Sequence, residues 1–412
     1  MKLIRDPVHG YLEVDDRALS VISNPYFQRL RHITQTGLAY LVYPGMTHSR
    51  FEHSVGSMYL ASEFLRYIAR NSRLDFITDD YVSLVSVVAL LHDVGHLPFS
   101  HTWENGLEAY KTIYGEISGY RGRKTHVDLG IRLIEEVLSD ALERAYRGFV
   151  SDPVGFAKRV LMEGPRNDEE RLATLVISNF IDADRGDYLL RDSYHAGVEY
   201  GIYDIERLKR FLTYVDGRLA VMRKAVPIVE HFLLARMYMY QNVYFHDVVG
   251  MYNAVLAFGL AKLFREGSLE PIPEVKDYLN YVDFEVLSLI KGLEKFADGV
   301  IYRRGWRRLK TDLDEECVSS LRNELNQLTA STEGLVILHE FRDAPYKETK
   351  TEAVYIYDGE VYELSRVSAI ARAIAELKKG IIVYHVSQEK EVQPILKEAQ
   401  DCMKSKQEGK KG

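Results

Sequence analysis

Leu90-Leu91-His92-Asp93-Val94-Gly95-His96-Leu97-Pro98-Phe99-Ser100-His101 closes an apolar helical run that begins near Val82. Three histidines and an aspartate fall within ten residues, beside a Gly and a Pro that stop a helix. An adjacent His-Asp pair at a helix end can offer one imidazole nitrogen and one carboxylate oxygen to the same cation. That donor set suits Zn, Fe or Mn. A lone His-Asp dipeptide is most often a surface pair, so a metal role depends on further ligands from other segments.

Upstream, Thr47-His48-Ser49-Arg50-Phe51-Glu52-His53-Ser54 leads into a helix whose apolar residues (Val55, Met58, Tyr59, Ala61, Phe64, Leu65, Ile68) follow helical spacing. Thr78-Asp79-Asp80 caps the helix that ends at His92-Asp93. Residues 1–20 read as short extended segments around the turn Asp6-Pro7-Val8-His9-Gly10, and Asn24-Pro25 opens a short helix. Downstream, residues 104–125, with several Gly and Tyr and a basic cluster from Arg121 to Lys124, read as a loop or lid. Helices are expected at about 126–147, 167–180, 186–194 and 204–213, then a very long one from Pro227 to about Phe264, and more around 274–298 and 313–328. Asp216-Gly217 is a hairpin turn.

The composition shifts near Glu333. Val336–Leu338, Ala353–Tyr357 and Gly380–Tyr384 read as strands, with a helix at about 366–378. The expected class is mainly α: a catalytic region over 1–330 with its motifs in 1–265, a small α+β domain over 331–400, and a disordered tail over 401–412.

The chain has 412 residues, enough for a large core, with 46% hydrophobic and 27% charged residues, as in ordinary globular proteins. A formal net charge of -7 argues against a protein built to coat nucleic acid. Cys317 and Cys402 lie far apart and suggest neither a disulfide framework nor a cysteine zinc site. The first residues do not read as a signal peptide, and no 18-residue apolar run reads as a membrane span, so the expectation is a cytoplasmic protein with no membrane partner.

Candidate ligands come from separate stretches: His53, His92 with Asp93, and Asp184 in Asp184-Arg185-Gly186-Asp187-Tyr188-Leu189-Leu190-Arg191-Asp192. That order resembles the H…HD…D signature of the HD-domain phosphohydrolase superfamily. The stretches Asp6-Pro-Val-His-Gly, Phe27-Gln-Arg-Leu-Arg, His48-Ser-Arg-Phe-Glu-His, His92 to His101 and Asp184 to Asp192 narrow the resemblance to its deoxynucleoside triphosphate triphosphohydrolase branch, strongly over about residues 1–265 and weakly beyond.

The resemblance implies one divalent transition metal (Fe, Zn or Mn) held by His53, His92, Asp93 and Asp184, with Mg a candidate companion of the triphosphate. It implies attack of water on the α-phosphorus, with the whole triphosphate parting from the 5′ oxygen of the deoxynucleoside. His101 matches the general acid. Glu104, three residues on, stands where a helical turn orients that imidazole. His96 and His126 match phosphate-facing histidines, for which loop-holding polar roles are the plainer alternative. Arg50, Arg185 and Arg236 match phosphate-binding cations, Arg185 replacing a lysine of the vertebrate enzyme. Tyr188 matches a sugar-packing ring, Asp192 and Gln35 match the 3′-hydroxyl contacts, and Tyr244 matches a wall at the 2′ edge of the sugar. Arg236, Tyr240 and Tyr244 otherwise read as a core stripe. Lys2, Gln28 and Arg31 match parts of a regulatory nucleotide site. Ser23 stands there where the vertebrate enzyme has the aspartate that selects guanine, which puts guanine specificity in doubt.

A homodimer or homotetramer with a nucleotide substrate, and a nucleotide effector, follow from the same resemblance. The basic run Tyr302–Lys310 has two readings: a solvated helix end, or an inter-subunit phosphate or nucleic-acid contact with Trp306 as a stacking surface. Two other functions compete with dNTP hydrolysis: an HD-domain phosphohydrolase acting on another nucleotide or a phosphomonoester, and a nucleotide- or nucleic-acid-binding protein with a structural metal.

Overall fold

The computed structural model describes residues 1–409 except 121, 123–124, 311 and 349–352, and the side chains of 406–409 are not described. The fold is mainly α-helical, and its helices bring the quoted stretches together. Helix Arg50–Ser72 starts after Ser49, whose N–H donates to the Glu52 carboxylate at 3.3 Å. It packs along helix Asp79–Leu91, capped by Thr78, whose hydroxyl accepts from the Tyr81 N–H. Both helices bury nearly continuous apolar faces, so His53 and His92 are held by rigid elements.

The segment after His92 is fixed by three buried contacts. Arg29 donates to the carbonyls of Val94 (3.1 Å), His96 (2.7 Å) and Tyr281 (2.9 Å), and burial pulls its guanidinium down to about 10. Asp283 accepts the N–H groups of Phe99 (2.7 Å) and Thr34 (2.8 Å), and burial pushes its carboxyl up to about 6. Gly95 lies against the helix that carries His126, where a Cβ would stand 2.1 Å from the His126 carbonyl. Only glycine permits that approach.

Residues 104–125 are not mainly a loop: helix His101–Tyr114 occupies their first half. Its buried Trp103, Gly106 and Leu107 lie on a face that packs on helix Asp247–Arg265. Of the basic cluster, Arg121, Arg123 and Lys124 lie outside the described residues. The expected helix from Pro227 to Phe264 is interrupted: Val226–Met239 passes through one wide turn at Tyr240–Tyr244, and a new helix starts at Asp247. Asp247–Arg265 is long and apolar enough to cross a membrane by length and composition, unlike the sequence expectation. Most of it is buried inside the fold, as a core helix is.

Strands β1 (Lys2–Asp6) and β2 (Gly10–Val14) form an antiparallel hairpin. Strands β3 (Leu212–Val215) and β4 (Arg218–Met222) join across Asp216-Gly217 as expected. Further strands are β5 (Trp306–Arg308), β6 (Val336–Asp343), β7 (Tyr355–Tyr357), β8 (Val361–Glu363) and β9 (Leu377–His385). They make a four-stranded sheet β3-β4-β7-β8, parallel between β4 and β7, and an antiparallel sheet β5-β9-β6. Strands from both sides of residue 331 thus share sheets. The helix expected at 366–378 shrinks to Ala369–Ala373, because β9 already begins at Leu377.

A second core lies between the β5-β9-β6 sheet and helices Glu315–Ser331 and Glu389–Gly409. Two expectations fail here. Residues 401–409 of the expected disordered tail continue a helix, residues 410–412 lie outside the described residues, and Cys402 is bonded to Cys317. The two stand 85 positions apart in sequence, and the packing of one helix on the other brings them together.

Candidate metal centre and catalytic site

His53, His92 and Asp184 bring one donor atom each to a common point, and Asp93 stands at its edge, with Oδ2 on Arg50 and Oδ1 3.3 Å from His96 Nε2. His53 Nε2 lies 3.1 Å from Asp184 Oδ1 and 3.6 Å from Asp93 Oδ2. His92 Nε2 lies 3.4 Å from Asp93 Oδ1 and 3.6 Å from Asp184 Oδ1. Donors bound to one ion at roughly 2.0–2.2 Å stand about this far from each other. Both Nε2 atoms are buried with no hydrogen-bond partner, while both Nδ1 atoms are engaged, that of His92 on the Ala89 carbonyl at 2.7 Å. Two lone pairs aimed at the same carboxylates with no proton donor fit a divalent cation.

Around this set lies a buried layer to which the sequence reading assigned no role. Asp187, one helical turn after Asp184, accepts from His53 Nδ1 (2.8 Å), His9 Nε2 (2.7 Å), Arg191 Nε (2.8 Å) and Arg191 Nη2 (2.8 Å). Arg191 also meets Asp6 at 2.9 Å. Burial opposes the charge on Asp187, but Arg191, His53 and His9 outweigh it and hold the carboxyl well below the usual carboxylate range. Gly56 makes room for this: a Cβ there would lie 1.9 Å from Asp187 Oδ1. A carboxylate on the far nitrogen of a ligand histidine fixes its tautomer and aim. The signal was present in the sequence, in the i, i+3 and i, i+4 spacing of Asp184, Asp187 and Arg191.

Glu104 joins two further imidazoles. Its Oε2 accepts from His101 Nδ1 at 2.8 Å, and its Oε1 from His126 Nδ1 at 2.6 Å. Burial raises its pKa, yet those hydrogen bonds win and hold it well below the usual carboxylate range. The ring of His101 is largely exposed and can reach an incoming molecule. His96 stacks on His126 with centroids 4.1 Å apart and planes at 10°. Burial, then the charges of Arg50 and His126, push His96 well below its ordinary value, which keeps it neutral. His96, His101 and His126 stand close enough to be weighed as a second metal group. Parallel stacked rings, however, send their in-plane lone pairs side by side and not to one ion. A small cavity between these groups is lined by Gly95, His96, Ser100, Glu104, Thr125 and His126.

The expected cations are present, each already engaged. Arg50 donates to Asp93 and, through Nε, to Ser100 Oγ at 2.6 Å. Arg185 turns back onto Asp182 and the Asn179 carbonyl. Arg236 donates to the Tyr188 hydroxyl at 2.6 Å. Asp192 accepts from His48 Nε2 and the Tyr244 hydroxyl, each at 2.7 Å, and Tyr188 and Tyr244 meet edge to face with centroids 6.2 Å apart. Gln35 Oε1 is buried without a partner.

Residues 50–174 match the HD domain family, and residues 203–412 match the HD associated region. The chain belongs to the HD-domain family. Among relatives of this HD protein, an uncharacterized protein of Methanocaldococcus jannaschii is 35% identical over 74% of this chain and 58% of its own length. The deoxynucleoside triphosphate triphosphohydrolase SAMHD1 homolog of Dictyostelium discoideum is 26% identical over 85% of this chain and 70% of its own length. A solved phosphohydrolase of Bacteroides thetaiotaomicron superposes with a TM-score of 0.73 at 25% identity, over 93% of this chain and 99% of that one. The HD chain spans just over half the length of the first curated relatives it matches.

The residues compared with a regulatory site hold local contacts in this HD protein. Gln28 Nε2 donates to the Ile22 carbonyl at 2.7 Å, Arg31 Nε donates to Gln28 Oε1 at 2.8 Å, and the Arg31 guanidinium lies 3.5 Å above the Phe51 ring. Lys2 sits in β1 opposite Val14. The basic run starts as the exposed end of helix Glu294–Val300, where the Tyr302, Arg303 and Arg304 N–H groups donate to its last carbonyls, and continues as a strand with no stacking platform. Trp306 lies in β5, buried, with its Nε1 donating to the Lys295 carbonyl at 2.7 Å, while Arg304, Arg307 and Arg308 pair with Asp298, Glu389 and Asp247.

Proposed function

We propose that this chain hydrolyses deoxynucleoside triphosphates to deoxynucleoside and inorganic triphosphate. One observation carries this reading: a converged His53, His92 and Asp184 group, with Asp93 at its edge, stands beside an exposed imidazole held by an ionised carboxylate. A divalent metal in that set would supply Lewis acidity for a water nucleophile and for the phosphoryl oxygens.

The chain's own groups do the rest. Glu104 accepts from His101 Nδ1, which leaves the Nε2 proton of the imidazolium free for the departing 5′ oxygen. His126, on the other oxygen of Glu104, and neutral His96 face the phosphates across the small cavity. Tyr188 and Tyr244 pack on the sugar, and Asp192 and Gln35 accept from its 3′ hydroxyl. Arg50, Arg185 and Arg236 hold the phosphates, and self-association would place Gln28, Arg31 and Lys2 near an effector nucleotide.

A specific observation favours a second reading, an HD phosphohydrolase acting on a smaller phosphoester. Arg50, Arg185 and Arg236 each touch a carboxylate (Asp93, Asp182, Asp343), so the cage for a triphosphate is partly neutralised in this state. Incubating the metal-loaded protein with each dNTP, each NTP and a panel of phosphomonoesters separates the two. Turnover of dNTPs supports dNTP hydrolysis, and turnover confined to monoesters overturns it.

A further inference from the structure

Arg236 has a partner that substrate binding does not explain. Its side chain is buried on the last turn of helix Val226–Met239. Besides Tyr188, its Nη2 reaches Asp343 Oδ2 at 3.2 Å and the Tyr240 hydroxyl at 3.5 Å, and its Nε is buried without a partner. The Tyr188 ring stands 6.4 Å from the His53 ring, so this guanidinium borders the metal-ligand set. Asp343 comes from 107 residues further along the chain. It is the last residue of β6, opposite Leu377, with Ala344-Pro345 next, and its side chain is 24% exposed.

We propose that Asp343 is a specificity-determining carboxylate: it occupies Arg236 in the empty site and yields only to the distal phosphates of a polyphosphate. This rests on the triphosphate reading above. A carboxylate and a phosphate make the same charge-assisted contact with a guanidinium, so they compete for it. A singly charged anion gains little by replacing Asp343, whereas a polyphosphate brings several charges to Arg236 and to neighbouring cations together. Discrimination by a built-in competitor is a difference of affinities, which is how specificity arises.

The two other ion pairs lack this freedom. Asp182 is fully buried and accepts the backbone N–H groups of Asn179 and Arg185 as the cap of its helix, so it cannot leave Arg185. Asp93 belongs to the metal-ligand set. Asp343 stands where the ladder ends, partly in solvent, and can turn away without breaking a backbone hydrogen bond.

Calorimetric titration of the purified protein with inorganic triphosphate, pyrophosphate and phosphate tests this, using the parent, Asp343→Asn, Arg236→Ala and the double variant. Asp343→Asn should bind triphosphate about ten- to a hundredfold more tightly, as expected for removal of a like charge from an anion site. It should also bind phosphate measurably where the parent does not. Arg236→Ala should cancel the gain, so that the double variant matches Arg236→Ala alone. Asp343→Ala, which keeps no side-chain acceptor, should move in the same direction. Unchanged or weaker triphosphate binding in both Asp343 variants, with the parent binding, would overturn the competitor role alone. Absence of triphosphate binding in parent and variants alike would overturn the triphosphate reading, and the role of Asp343 with it.

Discussion

Asp187→Asn tests whether the buried layer behind His53 sets metal affinity. The carboxylate accepts one proton from His53 Nδ1 and two from Arg191, all at 2.8 Å, and one from His9 at 2.7 Å. An asparagine keeps one acceptor and turns an NH2 group toward a donor, so at least one of these bonds is lost. Loss of the carboxylate behind a ligand histidine costs about ten- to a hundredfold in metal affinity, or roughly 1.4–2.7 kcal/mol. Arg191 keeps Asp6 at 2.9 Å, which limits the unfolding cost to the lower part of the roughly 3–5 kcal/mol of a broken buried pair. Competition with a chromogenic chelator reads the affinity, and circular dichroism of the metal-free protein shows whether the fold survives. His9→Gln leaves the Arg191 pair intact and should weaken the metal by less. A folded Asp187→Asn protein with parental metal affinity would refute a positioning role for this layer.

His101→Ala should cost about two to four powers of ten in turnover while keeping full metal content by elemental analysis, and Glu104→Gln should cost less; parental turnover in His101→Ala would move the acid role to His126. Cys402→Ser should lower stability by about 4–5 kcal/mol in the chain-entropy account, since the bond closes a loop across a separation of 85 residues, and chemical denaturation with and without reductant checks it. Burial, then Lys379, lowers His339 to about 4. The unfolded chain therefore binds a proton near pH 6.5 that the folded chain refuses. Stability should fall by up to about 3 kcal/mol as pH drops from about 6.5 to about 4, and His339→Gln should flatten that slope in denaturation midpoints.

The convergence of His53, His92 and Asp184 was legible because each sits inside a motif whose local geometry is set by its own helix: His53 behind Ser49 and Glu52, His92 at a capped helix end, Asp184 in the first turn after Asp182. The His101–Glu104 bond follows from the i, i+3 spacing. What stayed hidden depends on partners distant in sequence or on a slip in period. Glycines and tyrosines suggested a loop at 104–125, yet burial of Trp103 and Leu107 against Asp247–Arg265 decides for a helix. Helical periodicity does not register the wide turn at Tyr240–Tyr244. Two cysteines 85 residues apart reveal their bond only once two helices pack, and Asp343 reaches Arg236 only because β6 is laid against helix Asp247–Arg265. Arg185 was within reach of the sequence: Asp182, three residues earlier, is the helix cap that takes it.

The position of bond cleavage tests the central claim most directly. Metal-loaded protein should be given a dNTP in water enriched in oxygen-18, and the products resolved by mass spectrometry. Attack at the α-phosphorus, with His101 protonating the 5′ oxygen, predicts unlabelled deoxynucleoside and intact triphosphate carrying one heavy oxygen. Nucleoside monophosphate with pyrophosphate, or label in the deoxynucleoside, would contradict it.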